Sequence, residues 1–392
     1  MKPLAVYVHI PFCTVKCGYC DFNAYAGMDN LKVDYGRALV HEVEAAAALF
    51  EAREVSSIGF GGGTPGEVPA SDIGAVIAAV RRLAPLSPAA EISLEANPGT
   101  VTGDALRELH GHGVNRLSIG AQSFHASELR FLDRIHSPEA TAASIRLARE
   151  AGFQSVGLDL IYGLPGQAPA AWRASLEAAI ALGPDHVSAY ALTVEDGTML
   201  ARRVERGEVE PLDADAVADL YELASDVLEA AGYEQYELSN WARPGHQSRH
   251  NRTYWTDGEY LGIGAGAHGY VGGERYENVA HPREYIAAVQ AAKAPPFVAV
   301  ANRYTPDAAT AMSDWLALRL RLIEGFDPGE FAARFGQAVP LPVASVLEEC
   351  SRVGAVETAP RIRLSRSGRL LHGEVAARLL LACRQSAAPA AV

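Results

Sequence analysis

The chain has 392 residues, more than one ordinary hydrophobic core supports, so one large α/β domain and a smaller second domain are expected. The formal net charge of −13 argues against non-specific binding to nucleic acid. No apolar run of about 18 residues is present, and the N-terminus does not resemble a signal peptide, so neither a membrane span nor export is expected. Five cysteines are too few for a disulfide framework. Three of them are clustered and must stay reduced to bind a metal, which indicates a cytoplasmic setting.

Apolar runs rich in β-branched residues alternate with amphipathic stretches along the first half of the chain. The predicted strands lie at 4–10, 56–62, 91–97, 116–122, 155–163 and 186–193. The predicted helices between them lie at 34–52, 71–84, 102–112, 138–151 and 169–182. Such alternation indicates βα units around a parallel sheet. An open doubly wound sheet and a (β/α)8 barrel both fit this pattern.

The rest of the chain is predicted to add a loop-rich segment and a smaller domain. A helix at 213–231 and a strand at 233–240 complete the first predicted unit, 1–240. Residues 241–296 are rich in Gly, His, Tyr and Asn without a clear period, which predicts a loop-rich segment with a boundary near 292–297. In 297–392 the predicted elements are helices at 307–323, 327–335, 343–352 and 373–384, two short strands around 354–364, and a frayed tail at 384–392. This order is typical of a winged-helix-like domain.

Three cysteines, Cys13, Cys17 and Cys20, follow the first predicted strand within eight residues. A [4Fe–4S] cluster normally takes four thiolates, so three would leave one iron with an open position for a small ligand. The alternative is a zinc ribbon with a remote fourth ligand, although no second CxxC pair is present. Cys350 and Cys383 lie among apolar residues of predicted helices, where burial is the expected role.

Glycine or polar residues stand at the carboxyl ends of the predicted strands. They are Gly61, Gly62, Gly63, Thr64, Glu95, Gln122, Asp159 and Thr193. Because parallel strands end at one edge of a sheet, these residues predict a ligand site there. Glycine lets the backbone approach a ligand closely, and a carboxylate in an apolar run is costly unless it is paired or used.

The CxxxCxxC loop, together with GGGTP at 61–65, resembles the signature of radical S-adenosylmethionine (radical SAM) proteins. The segments YVHIPFC, FGGGTP, EANPG, RLSIGAQSF and DLIYGLPGQ are similar to those of the oxygen-independent coproporphyrinogen III oxidase branch, and the similarity covers essentially the whole chain. The resemblance implies a partial (β/α)6 barrel with a winged-helix-like C-terminal domain. It also implies a [4Fe–4S] cluster on the three cysteines, with S-adenosylmethionine on the open iron.

The same resemblance implies which residues contact S-adenosylmethionine. The glycine motif matches the segment that contacts the methionine amino group, and the backbone of Phe22 is expected near the adenine. The implied set is Tyr7, Phe22, Gly62, Gly63, Thr64, Glu95, Gln122, Arg134 and Asp159. The alternative for Tyr7 is a core aromatic, and the alternative for Arg134 is a solvated charge at a helix end.

Two sequence features differ from those of the oxidases and are similar to those of the haem chaperones of this branch, the HemW family. Phe22 stands where the oxidases carry an additional cysteine, and the extension that precedes their cluster is absent. The segment HNRTYW at 250–255 resembles the HNxxYW motif of these chaperones. It implies that His250 is an axial haem ligand, with a structural hydrogen-bonding role as the alternative. His268 is a second candidate.

The resemblance therefore implies a haem chaperone that binds haem, the cluster and S-adenosylmethionine and delivers haem to acceptor proteins. Respiratory-chain proteins are the implied acceptors, with peripheral association with membrane proteins, and no catalytic residue is assigned. The alternative is oxidative decarboxylation of coproporphyrinogen III by radical chemistry. DNA binding through the C-terminal domain is a weaker third interpretation, because 341–392 is mildly basic without a long basic run.

Overall fold

The computed structural model describes residues 1–292 and 295–387. The predicted boundary at 292–297 includes residues 293 and 294, and the predicted tail at 384–392 includes residues 388–392. These positions lie outside the described residues. Where the structure describes the chain, it contains no helix of the length and apolar character needed to cross a membrane.

The strands and helices alternate through most of the chain. The strands are β1 (Lys2–Ile10), β2 (Phe12–Cys13), β3 (Tyr25–Ala26), β4 (Arg53–Gly62), β5 (Leu86–Ala96), β6 (Arg116–Gln122), β7 (Ser155–Tyr162), β8 (His186–Ala191), β9 (Glu234–Glu237), β10 (Asn240–Ala242), β11 (Tyr260–Ile263), β12 (His268–Val271), β13 (Glu274–Asn278), β14 (Val300–Tyr304), β15 (Val356–Glu357) and β16 (Arg363–Leu364). The helices are α1 (Lys32–Ala45), α2 (Ala70–Leu83), α3 (Gly103–Gly111), α4 (Ala126–Phe131), α5 (Pro138–Glu150), α6 (Pro169–Ala181), α7 (Met199–Glu205), α8 (Ala214–Ala230), α9 (Arg249–Trp255), α10 (Pro282–Ala291), α11 (Ala308–Arg321), α12 (Pro328–Phe335), α13 (Leu341–Arg352), α14 (Arg366–Arg369) and α15 (His372–Ala387).

The main sheet has a parallel centre in which β1, β4, β5, β6, β7 and β8 are neighbours in chain order. In a doubly wound sheet the strand order reverses at a switch point. Here the order runs in one direction, and α1, α2, α3 and α5 pack side by side along it. The partial barrel implied by the resemblance is confirmed.

Additional strands extend the parallel centre at both edges. At one edge β11 pairs in parallel with β1, and β12, β13 and β14 continue antiparallel. At the other edge β10 and β9 follow β8. The prediction that 241–296 is loop-rich is wrong, because this segment holds α9, α10 and most of the first extension. Its strands have only four or five residues, too few to show a clear period in the sequence.

Side chains along β1 point alternately to the hydrophobic core and to the inner face of the barrel. Val6 and Val8 are fully buried in the hydrophobic core. Tyr7 and His9 point to the other face, where the Tyr7 hydroxyl and His9 Nδ1 are hydrogen-bonded at 3.0 Å. The valines of β1 thus stabilise the core, whereas Tyr7 and His9 face the inside of the barrel.

The C-terminal helices enclose a second hydrophobic core. The Trp315 ring packs edge-on against Phe326 and Phe331, and the β15–β16 hairpin covers one side. Cys350 and Cys383 are buried in this core, as predicted. The first core extends from Leu4 to Ala299, so the predicted units 1–240 and 241–296 share it. A division of the chain near residue 297 stays a prediction.

Candidate functional site

The three-cysteine loop leaves β1 and is closed by the short parallel pair β2–β3. Within it, the backbone N–H of Cys20 donates to the carbonyl of Cys17 at 3.1 Å, and Lys16 Nζ donates to the carbonyl of Phe22 at 3.1 Å. Cys13, Cys17 and Cys20 are half-buried free thiols that line one cavity. The loop is thus folded back on itself, with its thiols turned toward a common space.

Residues outside the three-cysteine loop supply donors to two of the three sulfurs. Thr64 Oγ1 donates to Cys13 Sγ at 3.4 Å, and Arg134 Nη1 lies 3.6 Å from Cys17 Sγ. Burial raises the pKa of the Cys13 thiol, and the Thr64 hydroxyl opposes that rise. Burial also raises the pKa of Cys20. Since metals bind thiolates, cluster binding would release these protons.

These cysteines do not converge on a single point. In residues 1–292 and 295–387, no three side chains of His, Cys, Asp or Glu are arranged around one metal ion. A cubane cluster does not need such convergence, because each thiolate binds a different iron atom. The donor set therefore fits a [4Fe–4S] cluster with three protein ligands.

The cavity has a volume of about 450 Å³ and lies at the carboxyl ends of β4 to β8. All of the residues predicted to contact S-adenosylmethionine line it except Tyr7. Those residues are Phe22, Gly62, Gly63, Thr64, Glu95, Gln122, Arg134 and Asp159. The structure brings them together with the three cysteines, and their individual contacts with a ligand stay predictions.

The glycines after β4 are required by the approach of that strand's end to the end of β1. Gly62 has φ 111°, and a Cβ there would collide with the His9 imidazole. A Cβ on Gly63 would lie 2.6 Å from the carbonyl oxygen of Phe12, and the N–H of Gly63 donates to the carbonyl of Ile10 at 2.8 Å. The glycines were predicted to admit a ligand, and the structure shows that they also make room for the His9 ring and the Phe12 backbone.

Two carboxylates, Glu95 and Asp159, line the cavity, and the charge of Asp159 acts on Glu95. Glu95 is accessible to solvent inside the cavity although protein surrounds it. Desolvation and the charge of Asp159 raise the pKa of Glu95 to about 7, against the effect of the Gly62 N–H. Asp159 accepts a hydrogen bond from Ser118 Oγ at 3.0 Å, and burial raises its pKa. A bound cation would favour the ionised form of Glu95.

Arg134 is a fixed part of the cavity wall rather than a solvated charge at a helix end. Its Nη2 donates to the carbonyl of Gly120 at 2.8 Å and to the side-chain oxygen of Asn97. Gln122 holds its amide at the same wall with φ 64°, a left-handed conformation that is uncommon for a residue other than glycine. The strained backbone at the end of β6 thus coincides with the predicted site.

Tyr7 lies below this cavity, against His250. Its ring is 6.2 Å from the His250 ring, and burial with the nearby charge of Glu95 raises its pKa. Two further histidines, His9 and His136, have backbone partners. His9 Nε2 is bonded to the carbonyl of Asn23 at 2.9 Å, and His136 Nε2 to that of Ala121 at 3.0 Å.

The sequence pattern did not indicate several residues that complete the cavity. Asn97 Nδ2 donates to Thr64 Oγ1 at 2.9 Å, so this amide joins the glycine motif to Arg134. Tyr190, near the end of β8, is exposed within the cavity although it belongs to a strand. Asn97 lies in the EANPG segment and was within reach of sequence reasoning. Tyr190 gave no such signal.

The HNRTYW segment forms α9, whose first turn is held by a buried carboxylate. The side chain of Ser248 caps the helix by accepting from the N–H of Asn251 at 3.2 Å, and its hydroxyl donates to Glu91 at 3.1 Å. The N–H of His250 also donates to Glu91, at 3.0 Å. The helix is therefore fixed to β5 at its N-terminus.

Both ring nitrogens of His250 have protein partners. Nδ1 is bonded to Ser57 Oγ at 2.9 Å and Nε2 to the Tyr254 hydroxyl at 2.8 Å. The side chain is buried, which lowers its pKa to about 4 and keeps the imidazole neutral at physiological pH. This geometry is that of the structural hydrogen-bonding alternative. Haem ligation by His250 stays a prediction that requires one of these bonds to break.

Helix α9 separates the first cavity from a second one. Asn251 lines the first cavity, whereas Tyr254 lines the second, which has a volume of about 440 Å³. His268, the second candidate for haem, lines this second cavity and is largely exposed. The two predicted haem histidines therefore lie in different environments.

Comparison with known sequences places the chain among radical SAM proteins. The Radical SAM superfamily model matches residues 7–179. The chain is 41% identical over 383 residues to heme chaperone HemW of Mycobacterium tuberculosis, covering 97% of this chain and 95% of that protein. It is 35% identical over 375 residues to heme chaperone HemW of Bacillus subtilis, covering 95% and 97%.

Among solved structures, the chain is similar to coproporphyrinogen III oxidase (HemN) from Escherichia coli, described as a radical SAM enzyme. The TM-score is 0.82 with 26% sequence identity, and the match covers 96% of this chain and 90% of that one. The similarity therefore includes the C-terminal helices as well as the barrel.

Proposed function

The chain belongs to the heme chaperone HemW family of the radical SAM superfamily, and on that premise we propose that it binds haem and delivers it to haem proteins. The observation that carries the proposal is the 41% identity that extends over 97% of the chain. Such coverage includes α9 and the C-terminal helices, beyond the part that the superfamily model matches.

The residues present fit a [4Fe–4S] cluster and S-adenosylmethionine as resident cofactors. Cys13, Cys17 and Cys20 would hold the cluster, and the eight other predicted residues that line the first cavity would surround S-adenosylmethionine. When both are bound, they supply one-electron chemistry at the sulfonium. The protein's own contribution is to hold the loop, through Thr64 and Arg134, and to present Glu95 and Asp159 to the amine and hydroxyl groups of the ligand.

The alternative is an oxygen-independent coproporphyrinogen III oxidase, which the structural similarity to HemN favours. Phe22 argues against it, because by resemblance a cysteine stands there in the oxidases. The Phe22 side chain is 61% exposed at the cavity and offers no atom that binds metal. The chaperone assignment therefore accounts for more of this chain's own residues.

Three finer expectations follow from the resemblance and from the thiols. We expect the acceptors to be respiratory-chain haem proteins, reached through peripheral contact with membrane proteins. We expect the protein to act in the cytoplasm, because a loop of three free cysteines needs a reducing environment to bind a cluster.

Haem titration and an oxidase assay test the proposal together. Anaerobically reconstituted protein is expected to bind one haem per chain and to transfer it to an apo-haem protein. Incubation with coproporphyrinogen III, S-adenosylmethionine and a reductant is expected to yield no decarboxylated porphyrinogen. Steady accumulation of that product, without haem binding, would support the oxidase instead.

A further inference from the structure

The second cavity lies between the extended sheet edge and the C-terminal helices. Its walls come from the end of α9, from β11 to β14 and from α11. Five of the chain's 15 tyrosines line it: Tyr254, Tyr260, Tyr270, Tyr276 and Tyr304. One third of the tyrosines in a single cavity between two cores indicates a ligand with a large planar face, because tyrosine offers rigid aromatic surface at binding sites.

The five tyrosines form a wall of the second cavity, and packing and hydrogen bonds hold this wall in place. The Tyr254 and Tyr260 rings meet edge-to-face with centroids 4.7 Å apart. The Tyr276 hydroxyl accepts from the N–H of Gly262 at 2.9 Å. A Cβ on Gly269 would collide with the Tyr276 ring, so glycine at this position is required for the wall to close. The aromatic surface is therefore in place before any ligand enters.

His268 supplies an accessible imidazole in this cavity. Its side chain is 69% exposed, in contrast to His250, whose two nitrogens are occupied. Glu277 stands directly opposite on β13, with 3.9 Å between His268 Nε2 and Glu277 Oε2. A metal-ligating histidine almost always donates its other N–H to a carboxylate, carbonyl or water, which fixes the ring and raises its basicity. This cross-strand pair has the composition of such a unit.

The charges around the cavity are mostly compensated. Arg275 Nη1 lies 2.6 Å from Asp314, and Arg334 Nε lies 2.7 Å from Asp257. The walls therefore offer little net charge to the face of a ligand. Charged groups of a ligand are expected at the open side, where water solvates them.

The first cavity is already assigned to other ligands. Its lining combines the three cysteines with the residues expected to hold S-adenosylmethionine, and its volume of about 450 Å³ lies in the range for one ligand of that size. A chaperone that keeps this cofactor therefore needs a separate place for haem.

We propose that the second cavity is the haem site, with His268 as an axial ligand and the tyrosines against the porphyrin face. The step is a coordination in which the imidazole lone pair binds the iron, with no change of oxidation state. This inference rests on the proposed haem-chaperone function and gives it a location. The exposed position of His268 suits a protein that must release its haem again.

Four variants and a haem titration followed by Soret absorbance test the proposal. His268→Ala is expected to weaken haem binding at least about tenfold and to shift the Soret maximum, because the axial ligand is lost. Glu277→Gln is expected to weaken binding about tenfold and to leave the ligand in place. Ala317→Phe fills the cavity from α11 and is expected to weaken binding from the opposite wall. His41→Ala, which removes an exposed imidazole on α1, is the matched control.

The outcomes separate this inference from the function on which it rests. If the unaltered protein binds no haem, the proposed function fails. If the unaltered protein binds haem, and His268→Ala and Ala317→Phe bind it equally well with the same Soret maximum, the second cavity is not the site. Unfolding midpoints of all variants show that they are folded. Should Ala317→Phe not fold, Tyr304→Ala on the exposed edge strand replaces it.

Discussion

The two cavities differ in the kind of wall that encloses them. The first is formed by strand ends, where thiols, glycines and carboxylates meet. The second is formed by tyrosines on strand faces and by a helix of the other core. Strand ends concentrate polar backbone and short side chains, which suits a compact charged cofactor, whereas strand faces offer flat aromatic area. Helix α9 stands between them and contributes Asn251 to one and Tyr254 to the other.

Cys17→Ala is expected to have the largest effect, and the effect should be confined to the first cavity. This change removes one of three cluster ligands, so iron content and broad visible absorbance should fall to background after anaerobic reconstitution. The far-ultraviolet circular dichroism should be unchanged, because β2–β3 still closes the loop. Haem titration should also be unchanged if haem binds in the second cavity.

Cys350→Ala is the control for that experiment, because it removes a buried thiol from the second core. It should lower the free energy of unfolding by about 1 kcal/mol and keep the full iron content. Equal iron loss in both variants would mean that the ligands are misassigned.

His250→Ala tests whether α9 is structural or binds haem. It leaves the hydroxyls of Ser57 and Tyr254 without their partner in a buried place, so the free energy of unfolding should fall by about 3 kcal/mol. Haem affinity should stay within about twofold of the unaltered protein if His268 is the ligand. Denaturant unfolding and Soret titration measure the two effects.

Ser57→Ala breaks the same hydrogen bond without removing an imidazole and should cost about 1 kcal/mol. Normal haem binding in Ser57→Ala, combined with loss in His250→Ala, would identify His250 as the ligand and overturn the assignment to His268.

Arg134→Lys tests the wall of the first cavity. Lysine keeps the charge but cannot donate at once to Asn97, Gly120 and Cys17, so S-adenosylmethionine should bind about tenfold more weakly. The response of the cluster's electron paramagnetic resonance spectrum to added S-adenosylmethionine measures this. Arg130→Lys on the exposed side of α4 should have no effect, and equal affinity in both variants would remove Arg134 from the site.

The smallest effect concerns pH. The pKa of Glu95 is raised from 4.5 to about 7, so between these values the folded protein binds more protons than the unfolded chain. Stability should therefore fall as pH rises through this window. Glu95→Gln should flatten the dependence in part, since buried Glu42 also has a pKa raised to about 7 and remains. An unchanged slope of the unfolding free energy against pH would contradict the raised pKa of Glu95.

Much of the first cavity could be predicted from the sequence, because its residues lie at strand ends that follow one another along the chain. The strand predicted at 116–122 matches β6, and it delivers Gln122 to the cavity. Arg134 lies outside any strand and was predicted by resemblance alone.

The second cavity depends on contacts that no local pattern records. Tyr254 and Tyr304 are 50 residues apart in the chain, and they line the same cavity only because β14 joins the sheet through β13. Helix α11 supplies the remaining wall. The environment of His250 was equally hidden, since its partner Ser57 lies on β4, 193 residues earlier. Contacts between residues far apart in the sequence decide both features.

The most direct test of two separate sites is haem titration of anaerobically reconstituted protein with and without saturating S-adenosylmethionine. We predict one haem per chain in both conditions with the same affinity, while the cluster spectrum still responds to S-adenosylmethionine. Displacement of haem by S-adenosylmethionine, or the absence of any haem binding, would contradict it.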